Sequence, residues 1–164
     1  MGNRDPKTTL GPLCTEGALN LVLKQIQTAV DGGAKVLLGG NRLDRPGYFL
    51  APTIQTNVAP ETPTFHQEFF APVALIFTVK NEKGAIALAN DSPYGLGGSV
   101  ITKDIERGKR VARQIETGMV FINQATWTAP ELPFGGVKNS GYGRELSDLG
   151  IGEFVNKKLI RVAA

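Results

Sequence analysis

Three features of this sequence predict an α/β fold. Between residues 73 and 123, short apolar runs alternate with short amphipathic ones in the order strand, helix, strand, helix, strand. Short links between them argue for parallel β-α-β crossovers. Leu19, Val22, Leu23, Ile26 and Val30 repeat at the spacing of one apolar helix face. Finally, the 20 glycines and 10 prolines fall between these periodic segments, where they read as turns and not as low complexity.

The elements follow in order. Residues 4–13 read as loop. Thr15 is a candidate N-cap for a first helix, and Gly32-Gly33 stops it, because glycine tolerates the left-handed cap. Residues 34–38 are expected as a short buried strand. Residues 41–66 look irregular, with a strand at 53–58 and turns around Pro46-Gly47 and Pro60. The repeating series is a strand at 73–79, a helix at 82–90, a strand at 98–102, a helix capped by Asp104, and a strand at 119–123. Ile105, Val111, Ala112 and Ile115 form the inner face of the second helix of this series. Residues 124–144 are a long Gly/Pro-rich loop without periodicity, and such a loop in a compact domain is more often functional than idle. A helix at 145–154 and a strand at 158–162 close the chain.

Composition narrows the function. A chain of 164 residues suggests one domain, or one domain with a tail. Eighteen Lys and Arg against fifteen Asp and Glu leave a net charge of +3, too slight and too mixed to announce a nucleic-acid partner. The 41% hydrophobic and 20% charged residues match a folded globular chain. Its longest apolar runs fall far short of a membrane span, and residues 1–20 lack a signal-peptide pattern. One cysteine excludes an internal disulfide framework and fits a reducing compartment, so a cytoplasmic location is expected.

Few residues offer chemistry. Cys14, the one thiol, sits by a helix N-terminus that favours a thiolate, but no histidine is near it in sequence. His66, the one histidine, reads as a solvated loop residue, and with a single cysteine it makes no metal site. The Gly95-Leu96-Gly97-Gly98 cluster precedes a strand, whereas a dinucleotide loop follows one and opens a helix. Lys103, Arg107, Lys109, Arg110 and Arg113 are interleaved with Asp104, Glu106 and Glu116, as on a solvated helix. Glu68 and Phe70 stand just before the strand at 73. Either they hold a ribose and pack on a flat ring, or they are a surface acid beside core phenylalanines. Thr126, Trp127, Thr128 and Phe134 follow a strand, at the C-terminal end where open α/β sheets place ligands; Trp127 and Phe134 packing into a core is the alternative.

Together these clusters resemble the C-terminal third of an aldehyde dehydrogenase. Glu68-Phe69-Phe70-Ala71-Pro72-Val73 resembles the family's E-x-F-G-P-V segment, with Ala71 in place of the usual glycine. Asn90-Asp91-Ser92-Pro93-Tyr94-Gly95-Leu96 resembles A-N-x-x-x-Y-G-L. Pro133-Phe134-Gly135-Gly136-Val137-Lys138-Asn139-Ser140-Gly141-Tyr142-Gly143-Arg144-Glu145 resembles P-F-G-G-x-K-x-S-G-x-G-R-E. Asp5-Pro6 through Leu13 resembles D-P-x-x-x-x-x-G-P-L, and the residues from Gly141 to Lys158 are most similar to the succinate-semialdehyde dehydrogenase subgroup.

The resemblance implies an α/β piece of the catalytic domain over residues 1–147, with a tail helix and oligomerisation strand over 148–164. It implies NAD or NADP as cofactor, held by Glu68 at the nicotinamide ribose with Phe70 near the ring. It implies an aldehyde tunnel lined by Thr126, Trp127, Thr128 and Phe134, with Thr128 able to reach a distal carboxylate. In the family a cysteine thiolate attacks the aldehyde, hydride passes to the nicotinamide, and water releases the acid. That nucleophile, its base and the cofactor domain lie upstream of the Asp-Pro stretch, so no catalytic residue and no metal ligand is expected among these 164. Expected partners are a small aldehyde and further copies of the chain, with no nucleic acid and no membrane. The alternative is an inactive binding or assembly piece, or a remnant.

Overall fold

Thr15 starts the first helix as its cap, its Oγ1 accepting the Ala18 N–H at 3.1 Å. The computed structural model describes residues 8–163, so Asp5 and Pro6 lie outside the described residues. Two compact units divide the chain, Met1–Thr78 and Val79–Ala164.

In the first unit, helix α1 (Glu16–Asp31) buries Leu19, Val22, Ile26 and Ala29, the face that its spacing predicts. Gly32 donates to Thr28 O at 3.1 Å and Gly33 takes φ +98°, which ends the helix. Strands β1 (Lys35–Leu38), β2 (Thr53–Thr56) and β3 (Val73–Ile76) form a sheet in that order, β1 antiparallel and β3 parallel to β2. Leu19, Val22 and Ile26 pack with Leu50 into one core cluster, and Ala29, Ala34 and Val58 form another. Gln55 on β2 is fully buried, and its Nε2 donates to Ile26 O at 3.2 Å, tying sheet to helix. The sequence reading made residues 34–38 a buried strand. Instead β1 is exposed along its whole length, because no element among the described residues covers its faces, and only Ala34 just before it is buried.

In the second unit, Asn81 caps helix α2 (Glu82–Asn90), its Oδ1 accepting the Gly84 N–H at 2.9 Å. Strand β4 (Tyr94–Gly95) pairs antiparallel with β7 (Val137–Lys138). Strand β5 (Gly97–Val100) pairs in parallel with β6 (Met119–Ile122), Gly97 opposite Met119. Helix α3 (Ile105–Ala112) connects them, with the Asp104 carboxylate accepting the Arg107 N–H at 2.9 Å. Gly108 is its buried residue, where a Cβ would crowd Ile122.

Two expectations need correction. The strands at 73 and 98 were expected in one parallel series, but β3 and β5 belong to different sheets, since β2 supplies the parallel neighbour of β3. At the C-terminus, helix α4 covers only Ser147–Ile151, continued by a 3-10 turn at Gly152–Phe154, and 158–162 is not a strand. Glu145 is held extended by a bridge to Phe134, which delays the helix. The tail finds no strand among the described residues to pair with, and Leu159, Ile160 and Val162 are almost fully exposed.

Candidate functional site

The second unit carries a cleft of about 180 Å³ lined by Leu96, Gly97, Met119, Thr126, Trp127, Thr128 and Phe134. All four residues singled out from the 124–144 loop therefore meet in one place. Their route is set by Asn123, which ends β6 at φ +59° while its Oδ1 accepts the Thr102 N–H at 2.8 Å. This turn sends the chain back along the strand pair. Gly97 and Met119 open β5 and β6, so the cleft lies beside the N-terminal ends of these strands and not outside their C-terminal ends as expected. The reversal at Asn123 is the reason. Trp127 is 67% exposed, so it is a wall of the cleft and not a core residue. The cleft offers two hydroxyls and no charged side chain, which suits a short, largely apolar chain with a polar end.

The glycine-rich segment behind this cleft acts as a clasp. Lys138 Nζ donates to Asn90 O at 2.8 Å and Ser92 O at 3.1 Å, and it meets the Glu116 carboxylate at 2.9 Å. Ser140 Oγ accepts the Gly95 N–H at 3.0 Å. Arg144 Nη1 donates to Gly136 O at 3.0 Å and Gly143 O at 2.6 Å. Phe134 and Glu145 exchange backbone hydrogen bonds of 2.8 and 2.7 Å. Gly118 needs its missing side chain, since a Cβ there would collide with the Gly135 carbonyl. Apart from the ion pair to Glu116, each of these contacts is to backbone or within the segment. The motif thus fixes where Phe134 stands.

In the first unit, Glu68 and Phe70 share a second cleft, of about 280 Å³, with Leu13, Cys14, Leu21 and Gln25 among its lining. Glu68 is exposed and Phe70 is 82% exposed, which excludes the reading of Phe70 as a core residue. Gln25 Nε2 donates to Glu68 O at 3.1 Å and Gln67 Oε1 at 3.3 Å, holding this loop on α1. An open carboxylate beside an open ring fits a ribose diol and a flat heterocycle. No basic side chain lines the cleft, so a pyrophosphate finds no cationic partner in it.

The comparisons with known proteins settle the family. The sequence model of the aldehyde dehydrogenase family matches residues 1–160. The chain belongs to the aldehyde dehydrogenase family. A relative described as succinate-semialdehyde dehydrogenase [NADP(+)], from Deinococcus radiodurans, is 52% identical over 157 residues, 96% of this chain and 33% of the relative. The crystal structure of succinic semialdehyde dehydrogenase from Streptococcus pyogenes, in complex with NADP+, is 50% identical with a TM-score of 0.92, covering 98% of this chain and 35% of that one. Betaine aldehyde dehydrogenase from Staphylococcus aureus, in complex with NAD+, is 38% identical with a TM-score of 0.87, covering 92% and 31%. The chain spans about a third of the length of the curated relatives it matches.

Other candidates of this aldehyde dehydrogenase family chain fall as follows. Cys14 is an exposed free thiol that lines the Glu68 cleft, where no histidine accompanies it. His66 closes the 3-10 turn Pro63–His66 and stands edge-on to Phe65, ring centroids 4.8 Å apart. No group of His, Cys, Asp and Glu suited to a metal ion occurs among the described residues, and no helix there is long and apolar enough to cross a membrane. On α3, Glu106 is held below the usual carboxylate range by the hydrogen bond from Lys109 and then by its charge, and Arg107 is raised by the hydrogen bond and charge of Glu82. Both pairs are exposed and neither lines either of the two clefts described above. Sequence reasoning missed Leu96, Gly97, Met119 and Gln25. The first three stand at strand edges, and an amide on the flank of an amphipathic helix carries no signal of its own.

Proposed function

We propose that this chain is the C-terminal part of an NADP+- or NAD+-dependent aldehyde dehydrogenase whose aldehyde is succinate semialdehyde. The observation that carries the reading is the meeting of Thr126, Trp127, Thr128 and Phe134 in one small cleft behind the family's glycine-rich motif. The functions of the relatives from D. radiodurans and S. pyogenes support the choice of aldehyde and cofactor.

In this reading Trp127 and Phe134 exclude water from the aldehyde's methylenes, and the Thr128 hydroxyl donates to a distal carboxylate oxygen. Glu68 accepts hydrogen bonds from the two hydroxyls of the nicotinamide ribose, and Phe70 packs near the ring, which together fix the ring's angle. When bound, the cofactor serves as hydride acceptor. Gln25 positions Glu68 through its backbone carbonyl. The nucleophile and base come from the part of the enzyme that this chain does not span, so the 164 residues by themselves oxidise no aldehyde. Residues 1–147 serve the catalytic domain, and 148–164 are an assembly tail in a cytoplasmic homo-oligomer.

The test joins this chain to the N-terminal two thirds of the D. radiodurans relative. Trp127→Ala raises the KM for succinate semialdehyde about tenfold or more, while Glu68→Gln slows hydride transfer about tenfold with that KM little changed. Steady-state and single-turnover kinetics separate the two. The opposite split, or no effect from either, contradicts the assignment.

A further inference from the structure

Gly97 and Gly98 are adjacent on β5, yet they meet different surroundings. Neither has a positive φ, so backbone conformation demands glycine at neither position. A Cβ on Gly98 would meet its nearest neighbour, Ile115 Cγ2, at 3.6 Å, an ordinary contact. A Cβ on Gly97 would lie 2.8 Å from Thr126 Cγ2, closer than real side chains approach, with Met119 Cε next at 3.5 Å. Gly97 and Thr126 both line the small cleft of the second unit, and Thr126 is exposed there.

We propose that Gly97 is a specificity-determining position of this cleft. By lacking a Cβ it leaves the space that the Thr126 methyl occupies, and so decides which group of Thr126 the cleft presents to a bound chain. Threonine is stiff at χ1, with its methyl and hydroxyl on the same carbon. A side chain at 97 therefore displaces Thr126 as a unit, either by turning it to another staggered rotamer or by pushing the loop outward. In the first case the substituents on the Thr126 Cβ each move one staggered position, so the methyl leaves the space beside residue 97 and a different group faces the cleft, and in the second Trp127 moves with its neighbour. Both alter the wall that recognises the ligand. The inference rests on the reading of this cleft as the aldehyde site.

Trp127 is the one tryptophan of the chain, so its fluorescence reports on this cleft alone. The 164-residue chain is titrated with succinamate, in which an amide replaces the aldehyde, and with uncharged butyramide. Gly97→Ala is expected to raise the dissociation constant for succinamate about fivefold or more, while Gly98→Ala stays within about twofold of the parent. Adding Thr126→Ser to Gly97→Ala removes the obstructing methyl and is expected to return binding to within about twofold of the parent. Binding unaltered by Gly97→Ala, or weakened without recovery in the double variant, overturns the proposal. A parent chain that answers neither probe removes the cleft's aldehyde role and this claim with it, whereas a parent that binds succinamate equally well with Gly97→Ala loses this claim alone.

Discussion

Leu19 and Gln55 show what single residues contribute beneath the site. Leu19 is wholly buried in the α1 core, so Leu19→Ala loses both transfer energy and packing, about 2–5 kcal/mol. Gln55 is equally buried, but its Oε1 accepts no hydrogen bond, which offsets what its Nε2 contributes at Ile26. Gln55→Met is therefore expected to change stability by no more than about 1 kcal/mol. Urea denaturation of both variants checks the contrast, and equal losses contradict it. At this scale the site was legible unevenly. Trp127 and the two threonines stood out because they follow a strand in an aperiodic loop, while the choice between cleft and core for Trp127 is decided only by its exposure in the fold. Gln25 and Gly97 did not, since what matters about each is a neighbour 43 or 29 positions away that only the fold brings close.

Elements were readable where a local rule decides them. α1, α2 and α3 each begin at a residue whose side chain accepts a backbone N–H, and each such cap is a short polar side chain before an amphipathic run. Asp104→Ala is expected to cost about 1 kcal/mol, because it leaves the first turn of α3 uncapped and removes a carboxylate from the positive end of the helix. Thermal unfolding checks this, with Asp104→Asn expected to retain most of the stability. A loss as large in Asn as in Ala points to something other than the cap. Strands were less readable, since a ladder needs a partner and the sequence of one strand does not name it. The apolar run of β1 resembles a core strand, yet all four of its residues are exposed, since what covers a strand's faces is set by elements elsewhere in the chain. The run at 158–162 has strand-like residues and no partner among the described ones, so it forms none.

At the scale of the whole molecule, the exposed Leu159, Ile160 and Val162 are an apolar tail with no place to bury itself among the described residues. Such a segment invites pairing with another copy. The intact chain is expected to self-associate, and deletion of residues 157–164 to shift it toward monomer in sedimentation velocity; a monomeric intact chain contradicts this. The family was legible from four ordered motifs, and the glycine-rich one proves to be architecture, clasping Phe134 in place through Lys138, Ser140 and Arg144. The site's ligand was less so, because the chain spans about a third of its relatives' length and carries walls without a nucleophile of recognisable surroundings. The most direct test is therefore complementation: the 164-residue chain is mixed with the N-terminal two thirds of the D. radiodurans relative, and formation of reduced nicotinamide from succinate semialdehyde is followed. The account predicts no turnover from either piece alone and turnover from the mixture that Trp127→Ala diminishes. Turnover by the 164-residue chain alone, or a mixture indifferent to Trp127, would contradict it.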